Sequence, residues 1–177
     1  MARPYNIINI MKIAIISDTH DNIPNIDIFL KYIKKEKITT VIHCGDISNI
    51  ETFKYLNDNI KGMKYFVFGN VDYDRKNLKI ICESYKDTAC FDELGEIEIN
   101  NIKIAFIHFP REAKKLAKQE KYHFVFNGHT HKPWLEQAGS TVLANPGTLA
   151  GMFYSASFAV LDLEKKKIEL KLLKDLK

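Results

Sequence analysis

Potential metal ligands follow the short apolar segments of this 177-residue chain in a regular order. Nearly all come directly after a run rich in Ile, Val and Phe, and the seven are Asp18, His20, Asp46, Asn70, His108, His129 and His131. If each run is a strand, each strand carries its polar residue to one common edge of a sheet. Carboxylate, carboxamide and imidazole groups gathered in this way are typical of a site for more than one metal ion. The pattern therefore predicts a two-metal hydrolase.

The composition indicates one compact domain rather than a disordered or fibrous chain. Hydrophobic residues make up 46% and charged residues 27% of the sequence, which is the balance of a domain with a full core. The formal charge of +4 comes from scattered lysines, without an arginine cluster or interleaved aromatic residues. Such lysines are more often a solvated face than a nucleic-acid surface. A nucleic-acid partner is thus left open but is not favoured.

The cysteines indicate where the protein works. Cys44, Cys82 and Cys90 form neither a CxxC pair nor an even disulfide set, which favours a reducing compartment. We therefore predict a cytoplasmic protein. No stretch approaches the roughly 20 apolar residues of a membrane span, so no membrane partner is expected.

The N-terminal residues include an apolar stretch, 7–16, that could be a signal peptide or a strand. Lys12 interrupts it, and no small-residue cleavage site follows before Ser17. These features favour a strand. We predict a flexible extension over residues 1–10 and a single domain over residues 11–177.

Alternating strand and helix patterns fill the N-terminal half. Short runs rich in Ile, Val and Phe predict strands at 12–16, 40–43, 65–68, 102–107, 124–126, 141–144 and 157–161. Apolar stripes with helical spacing lie at 26–33 and 50–60, and a proline in a first-turn position opens a third helix at 110–120. Strand–helix alternation implies right-handed crossovers and a largely parallel sheet.

The C-terminal half changes to the two-residue alternation of half-exposed antiparallel strands, at 96–99 and 168–172. Asn100 and Asn101 mark a hairpin turn between two strands. Two mixed sheets packed face to face, with helices outside, account for both halves. The fold class is therefore α/β with mixed sheets, in one domain.

The first two ligand groups each have a plainer interpretation. In an extended segment Asp18 and His20 point to the same side and can share a metal, but Asp18 alone could equally cap the next helix. Asp46 follows a glycine, where a carboxylate can bridge two cations with its two oxygens. His43 and Cys44, on the strand itself, are expected to be packed or supporting groups rather than ligands.

The remaining groups are weak evidence for a metal site alone and stronger evidence together. Asn70 lies in a Gly-Asn-Val-Asp segment that alone indicates only a turn, and a lone strand-end histidine such as His108 is more often structural. His129 and His131 are the most specific pair, because two imidazoles two residues apart after a glycine can lie on one side of a loop. The Asn-Pro-Gly-Thr segment at 145–148 predicts a rigid turn behind the site.

These segments together resemble the calcineurin-like metallophosphoesterase superfamily, and more narrowly its small single-domain bacterial and archaeal phosphodiesterases. The resemblance covers residues 11–163 and rests on Asp18-Thr19-His20, Gly45-Asp46, Gly69-Asn70-Val71-Asp72, His108, Gly128-His129-Thr130-His131 and Asn145-Pro146-Gly147-Thr148. It implies a four-layer αββα sandwich of two mixed sheets with a dinuclear site. In that pattern the first metal is held by Asp18, His20, Asp46 and His131, and the second by Asp46, Asn70, His108 and His129.

The resemblance also implies the chemistry of the site. Hard oxygen and borderline imidazole ligands, without thiolate, suit Mn²⁺, Fe, Zn²⁺ or Ni²⁺ and argue against Cu(I); Mn²⁺ is the metal we expect. Two cations roughly 3.5–4 Å apart can hold a hydroxide between them and orient a phosphoryl group for in-line attack. Asp46, Asn70 and His108 would form the catalytic centre, with a small phosphodiester as the substrate.

Residues around the ligands refine the expected substrate. Many larger members of the superfamily carry a histidine directly after the motif asparagine, which is thought to protonate the leaving oxygen, and this chain has Val71 there. Esters with acidic leaving groups, and hence diesters, are therefore favoured as substrates. Asp72 is expected to hold a ligand or the backbone in place. Phe109 is expected to narrow the cleft or to stack on a base or aryl ring. Arg111 could contact phosphate, or could equally be a solvated residue in the first turn of a helix.

Two other functions and one assembly stay open at this point. A nuclease of the same superfamily would need a basic, aromatic-lined track. A protein-binding scaffold would bind metal weakly and expose an apolar patch, expected near Phe153 and Tyr154 on the side opposite the cleft. A homodimer through exposed strands of the C-terminal half is compatible with the pattern, although no residue requires it.

Overall fold

Eleven strands and four α-helices make up residues 12–176, which are the residues that this computed structural model describes. The predicted extension at 1–10 lies outside the described residues. The elements in chain order are β1 (Lys12–Ile16), α1 (Ile23–Lys35), β2 (Thr40–His43), α2 (Ile50–Asn59), β3 (Met63–Val67), α3 (Arg75–Cys82), β4 (Thr88–Phe91), β5 (Leu94–Ile99), β6 (Ile102–Ile107), α4 (Pro110–Ala117), β7 (Phe124–Phe126), β8 (Trp134–Ala138), β9 (Thr141–Asn145), β10 (Ser157–Asp162) and β11 (Lys167–Leu172), followed by a short 3-10 helix (Leu173–Leu176).

The strands form two mixed sheets, as predicted. The first has the order β11-β10-β1-β2-β3-β4, in which β1 to β4 are parallel and β10 pairs antiparallel with both β1 and β11. The second has the order β5-β6-β7-β9-β8, with a parallel centre and an antiparallel strand at each edge. The predicted hairpin turn joins β5 to β6, where Asn100 and Asn101 have φ values of 51° and 61°.

Three apolar clusters separate four layers. Alternation along β1 sends Ala14 and Ile16 outward against α1, α2 and α3, and sends Ile13 and Ile15 inward against the second sheet. On the far side of the second sheet, residues such as Val125 pack against α4. The order of layers is helices, sheet, sheet, helix, which confirms the four-layer αββα sandwich.

One strand begins earlier than the sequence pattern predicts. β3 starts at Met63 rather than at residue 65. The sequence pattern missed this start because Lys64, which is buried in the structure, interrupts the apolar run. Its ammonium group lies 2.8 Å from an oxygen of Asp87 and donates to the carbonyl groups of Asn57 and Ile60, at the end of α2. A charged residue paired in this way is compatible with a strand interior, which a hydrophobicity pattern cannot register.

The elements that the sequence did not predict are short or half-exposed. α3 and β4 have few fully buried residues, and the edge strand β8 is exposed at three of its five positions. α4 was expected to reach residue 120 but ends at Ala117, and the segment beyond it includes Glu120 with a φ of 53°. None of the described helices is long and apolar enough to cross a membrane.

The topology brings five strand ends to one edge of the sandwich. β1, β2 and β3 are parallel neighbours in the first sheet, and β6 and β7 are parallel neighbours in the second. The segments that follow these strands contain all seven predicted ligands. The candidate site therefore lies at the carboxyl ends of strands from both sheets.

Candidate metal centre

Three of the seven side chains form a first group at the end of β1. The Nε2 atom of His131 lies 3.2 Å from Nε2 of His20 and 3.3 Å from Oδ1 of Asp18, and His20 Nε2 is 3.9 Å from the same oxygen. Ligand atoms about 2.1 Å from one cation are roughly 3.0–3.4 Å apart in octahedral or tetrahedral geometry. Two of the three separations lie in this range, and the three ligand atoms all lie within 4.8 Å of one another, which suits a shared cation.

A second group lies beside the first. Oδ1 of Asn70 is 3.0 Å from Nε2 of His108 and 2.9 Å from Nδ1 of His129. The side chains of this group come from β3, β6 and β7, and Asn70 and His129 are exposed whereas His108 is buried. The group is therefore open to solvent on one side, where a substrate can approach.

Asp46 lies between the two groups. Its Oδ2 atom is 3.9 Å from His20 Nε2 and 3.5 Å from His108 Nε2, while its Oδ1 atom accepts a hydrogen bond of 3.0 Å from the Val71 N–H. Asp18 also faces both groups, since its ligand oxygen lies within 4.8 Å of ligand atoms of Asp46 and His108. The carboxylates thus link the two groups into one continuous cluster.

Hydrogen bonds on the outer side of two imidazoles fix which nitrogen faces inward. Nδ1 of His108 donates to the Cys44 carbonyl at 2.8 Å, and Nδ1 of His131 donates to the Met152 carbonyl at 3.3 Å. Each ring therefore presents the Nε2 lone pair to the cluster. Among the described residues Asp18 Oδ1 is buried without a hydrogen-bond partner. Lone pairs that converge on a buried, unpaired carboxylate oxygen fit a divalent cation.

The electrostatics of the cluster also favour positive charge. Burial acts to lower the pKa of His108, but the carboxylates of Asp46 and Asp18 outweigh it and raise that pKa above its usual value. Burial acts to raise the pKa of Asp46, but the contact with His108 outweighs it and lowers that pKa. The adjacent Asp18 carboxylate raises the pKa of His131. These directions indicate a locally electronegative site.

Asp72 organises the backbone around Asp46. Its two carboxylate oxygens are buried and accept four backbone N–H groups, those of Asp46 (2.9 Å), Ile47 (2.7 Å), Ser48 (2.8 Å) and Gly69 (2.6 Å). The segments after β2 and β3 are thereby tied to one side chain. These contacts hold the backbone of both segments, and a role of Asp72 in a working site stays a prediction.

His43 and Cys44 support the site from the strand, as expected. His43 accepts the Gly45 N–H at Nδ1, so Nε2 donates to the Thr19 hydroxyl at 3.1 Å, and burial lowers the pKa of its imidazole to about 3. The Cys44 thiol lies in the apolar cluster between the sheets, while its carbonyl accepts from His108. No cysteine belongs to the groups of possible metal ligands in residues 12–176.

The predicted turn at 145–148 lies behind the site. Asn145 donates to the Gly128 carbonyl at 2.8 Å, and the Thr148 hydroxyl donates to the Asp18 carbonyl at 3.0 Å. The backbone N–H of His129 donates to Asp18 Oδ2 at 3.1 Å. These bonds join loops of the second sheet to the loop after β1.

The backbone conformation of the ligand loops differs from the sequence expectation. Asp18 and His20 were expected to share a side because their segment is extended, but both have a left-handed backbone, and so do three other candidates; the five φ values are 52° (Asp18), 38° (His20), 59° (Asp46), 71° (His129) and 61° (His131). Such conformations are uncommon outside glycine and concentrate at functional sites. The side chains converge because of these sharp turns, not because of strand alternation.

Two glycines allow the loops to approach each other closely. A Cβ atom on Gly69 would lie 2.1 Å from Asp46 Oδ1, and one on Gly128 would lie 1.9 Å from Ser17 Oγ. Both distances are far shorter than a van der Waals contact. Any side chain at these positions would displace Asp46 or the loop after β1.

Aromatic residues form part of the rim. Phe109 packs at a ring-centroid distance of 5.0 Å from both His108 and His129 and is 38% exposed. Arg111 is largely exposed and pairs with Glu112 at 3.0 Å, which agrees with the second of its two interpretations.

The exposed apolar segment around Phe153 was expected opposite the cleft, and that expectation is wrong. The Phe153 ring lies 5.6 Å from the ring of His131, and the preceding Met152 supplies the carbonyl that this histidine bonds. In the sequence, only the glycine before Met152 and Phe153 hints at a turn that could bring them to the site.

Comparisons with known proteins agree with the geometry. Residues 11–166 match the model of the calcineurin-like phosphoesterase superfamily domain. A phosphodiesterase of Methanocaldococcus jannaschii is 33% identical over 163 residues, which cover 89% of this chain and 96% of that protein. A solved structure of an archaeal phosphodiesterase is 30% identical, with a TM-score of 0.84 over 92% of this chain and 99% of that one.

A more distant similarity concerns the fold alone. Vps29 of Entamoeba histolytica, solved in complex with zinc, is 20% identical, with a TM-score of 0.65 over 92% of this chain and 99% of that one. The αββα sandwich is therefore shared by proteins with different names, a phosphodiesterase and Vps29 among them.

Proposed function

The chain belongs to the calcineurin-like phosphoesterase superfamily and is a metal-dependent phosphoesterase, and we propose that it cleaves small phosphodiesters at a dinuclear site. The observation that carries the proposal is the pair of adjoining ligand groups, linked by Asp18 and Asp46. Two linked groups of this kind suit two cations better than one. The phosphodiesterase activity described for the M. jannaschii relative supports the same substrate class.

The proposed ligands are the seven residues singled out in the sequence. Asp18, His20, Asp46 and His131 would hold the first metal, and Asp46, Asn70, His108 and His129 would hold the second. Asp46 is the shared ligand because its Oδ2 atom faces both groups. Its replacement is therefore expected to remove both metals at once.

The catalytic roles follow from this arrangement. When bound, two divalent cations lower the pKa of a water molecule and neutralise charge on the phosphoryl group. Asp46, Asn70 and His108 form the catalytic centre of the proposal, and Asp72 fixes the backbone N–H groups around Asp46. His108 is held rigidly by the Cys44 carbonyl, so its Nε2 atom stays aimed at the cluster without reorganisation.

The histidine that larger superfamily members carry directly after the motif asparagine has no counterpart at the same position here. Val71 occupies that position, and its N–H is directed to Asp46 rather than to the open side of the cluster. Leaving groups that need no proton are therefore favoured. This supports aryl or otherwise acidic diesters over alkyl monoesters as substrates.

Mn²⁺ is the metal we propose, with Fe, Zn²⁺ and Ni²⁺ as alternatives. A donor set of carboxylate, carboxamide and imidazole groups, without thiolate, supports a borderline to hard divalent ion. Metal content after reconstitution with each ion separately, together with the turnover that each supports, measures the preference. Higher activity with Zn²⁺ than with Mn²⁺ at equal loading would overturn this choice.

The decisive experiment compares hydrolysis of bis(p-nitrophenyl) phosphate and p-nitrophenyl phosphate by chelator-treated protein before and after addition of Mn²⁺. We expect metal-dependent cleavage with a preference for the diester. Asp46→Ala should lower it by more than about 100-fold, beyond what loss of a residue that merely supports a ligand costs. Asp162→Asn is the matched control, because Asp162 lies opposite Lys12 in the strand register, at the end of β1 that is far from the candidate ligands. Full activity in Asp46→Ala, or metal loss no greater than in the control, would refute the assignment.

A homodimer is proposed through the edge strands β8 and β11. Leu135 on β8 and Leu170 on β11 are 57% and 45% exposed, and a cavity of about 250 Å³ lies between these strands. Exposed apolar residues on unpaired strand edges favour association. Light scattering of the wild type and of Leu135→Lys tests this, and a monomer at all concentrations would exclude it.

A cytoplasmic location and a single domain over residues 11–177 complete the proposal. The family match over 11–166 supports the domain limits, and the three free thiols support a reducing compartment. Fractionation of cells that express a tagged chain tests the location.

A further inference from the structure

Two exposed aromatic rings stand at opposite ends of the cluster. Phe109 packs on His108 and His129, the imidazoles that face Asn70, whereas Phe153 packs on His131, the imidazole that faces Asp18 and His20. Phe153 is 87% exposed and Phe109 is 38% exposed. A group bound between the two ligand sets therefore has one aromatic face on each side.

Phe153 is held in place at a cost to the backbone. Its φ of 65° lies in the left-handed region, which bulky residues rarely adopt. Its position is set by the ligand loops themselves, because Met152 accepts the hydrogen bond of His131 and the N–H of Ala150 donates to the Asp18 carbonyl. An exposed ring in a strained conformation, fixed by two ligand residues, is difficult to explain by packing alone.

The Phe109 side also offers room for a bulky group. A cavity of about 260 Å³ lies beside this ring and His108. Its other lining residues are Phe68, Arg75, Glu93, Ile107 and Glu112. An apolar floor with a few charged groups is the usual character of a small-molecule pocket.

We propose that Phe109 and Phe153 stack on the two organic groups of the substrate, which is a diester that carries a planar group on each side, such as two nucleosides. A phosphomonoester has one organic group and can use only one ring, whereas a diester uses both. Base–aromatic stacking tolerates any base because every base has a π face. This inference rests on the proposed phosphodiesterase function and names its substrate class.

The test uses three diesters with the same p-nitrophenolate leaving group and different retained groups: methyl, phenyl and thymidine 5′-yl. The Mn²⁺-loaded wild type should cleave the phenyl and thymidine esters with a kcat/KM about tenfold or more above that of the methyl ester, as stacking of one planar group allows. One of the variants Phe109→Ala and Phe153→Ala should abolish this selectivity ratio. The other should lower kcat/KM for all three esters, because their leaving group is planar.

Matched variants separate stacking from structural damage. If Phe153 contacts the retained group, Phe153→Trp keeps a planar ring and should keep the selectivity, whereas Phe153→Leu keeps only an apolar side chain and should lose it. If Phe109 contacts the retained group instead, Phe109→Trp and Phe109→Leu should differ in the same way. Ile80→Ala, a truncation of a 56% exposed residue on α3, should change nothing. Metal content and thermal midpoint are measured for each variant.

The outcomes distinguish the two proposals. If the wild type cleaves no diester with any metal, the phosphodiesterase function itself fails. If it cleaves all three esters with equal kcat/KM, or if neither alanine variant changes the ratio, the function stands and the role of the two rings is refuted. Unchanged kinetics combined with a loss of dimer in Phe153→Ala would assign that ring to an interface and would equally refute the proposal.

Discussion

The replacement Asp72→Asn should lower both the stability of the metal-free fold and the affinity of the site for metal. The carboxylate accepts two backbone N–H groups on each oxygen: those of Asp46 and Gly69 on Oδ2, and those of Ile47 and Ser48 on Oδ1. An asparagine of the same shape has one carbonyl oxygen and one NH₂ group. Whichever way the amide is oriented, two backbone donors then face a donor.

The magnitude follows from the count of unpaired donors. Each buried N–H that loses its acceptor costs about 1–3 kcal/mol, so two cost roughly 4 kcal/mol. For a chain of 177 residues, 1 kcal/mol corresponds to a shift of about 2–4 °C in Tm, so the expected decrease is about 12 °C. Asp46 belongs to the loop that loses its support, so metal affinity should fall as well.

Unfolding of the metal-free protein by heat and by urea measures the first effect, and calorimetric titration with Mn²⁺ measures the second. Asp74→Asn is the matched control, because Asp74 is exposed two residues away and its carboxylate accepts the side-chain amide of Asn77 rather than a backbone N–H of α3. Its Tm should change by less than about 2 °C, as for most surface substitutions. A Tm for Asp72→Asn within that same range in the absence of metal would refute the reasoning.

Three further measurements check other parts of the structure. Asp87→Ala removes the carboxylate that pairs with the buried ammonium group of Lys64 and should lower the free energy of unfolding in urea by about 2 kcal/mol. Asp92→Ala, which breaks an exposed ion pair, should lower it by less than about 1 kcal/mol. Equal losses would contradict the difference in burial between the two pairs. Because burial lowers the pKa of His43 to about 3, the stability that its neutral form contributes is complete above pH 6.5 and is lost as the pH falls toward 3. At pH 4.5 the loss is about 3 kcal/mol, and His43→Gln should flatten this part of the pH dependence of the unfolding free energy; an unchanged slope would exclude the role of His43. Val71→His should raise turnover of alkyl phosphomonoesters about tenfold or more relative to bis(p-nitrophenyl) phosphate, and equal gains in Val71→Leu would show that an acid is not the cause.

The sequence predicted those elements whose burial pattern can be read from residues adjacent in the chain. Strands such as β1, β2, β6 and β7 were placed correctly because their buried residues are consecutive in sequence, and the candidate ligands were chosen from the residues that follow these strands. β8 and α3 were missed because half-exposed elements leave no clear period. Lys64 broke the pattern of β3 although its charge is paired.

The supporting contacts of the site could not be predicted for a different reason. The Cys44 and Met152 carbonyls that orient two histidines are backbone atoms, which every residue has. The four N–H partners of Asp72 and the position of Phe153 depend on how loops far apart in sequence are folded against one another. Sequence patterns indicate which side chains could meet, but not which main-chain atoms will hold them.

The division of the candidate ligands between the two sheets has a consequence for how the protein matures. Asp18, His20, Asp46 and Asn70 follow strands of the first sheet, whereas His108, His129 and His131 follow strands of the second. The first sheet is itself incomplete until β10 pairs with β1. A chain emerging from the ribosome therefore presents these four side chains before the three histidines of the second sheet are made, so neither proposed ligand set is complete until the second sheet is present. Complete loading of the proposed dinuclear site therefore requires both sheets to be folded against each other.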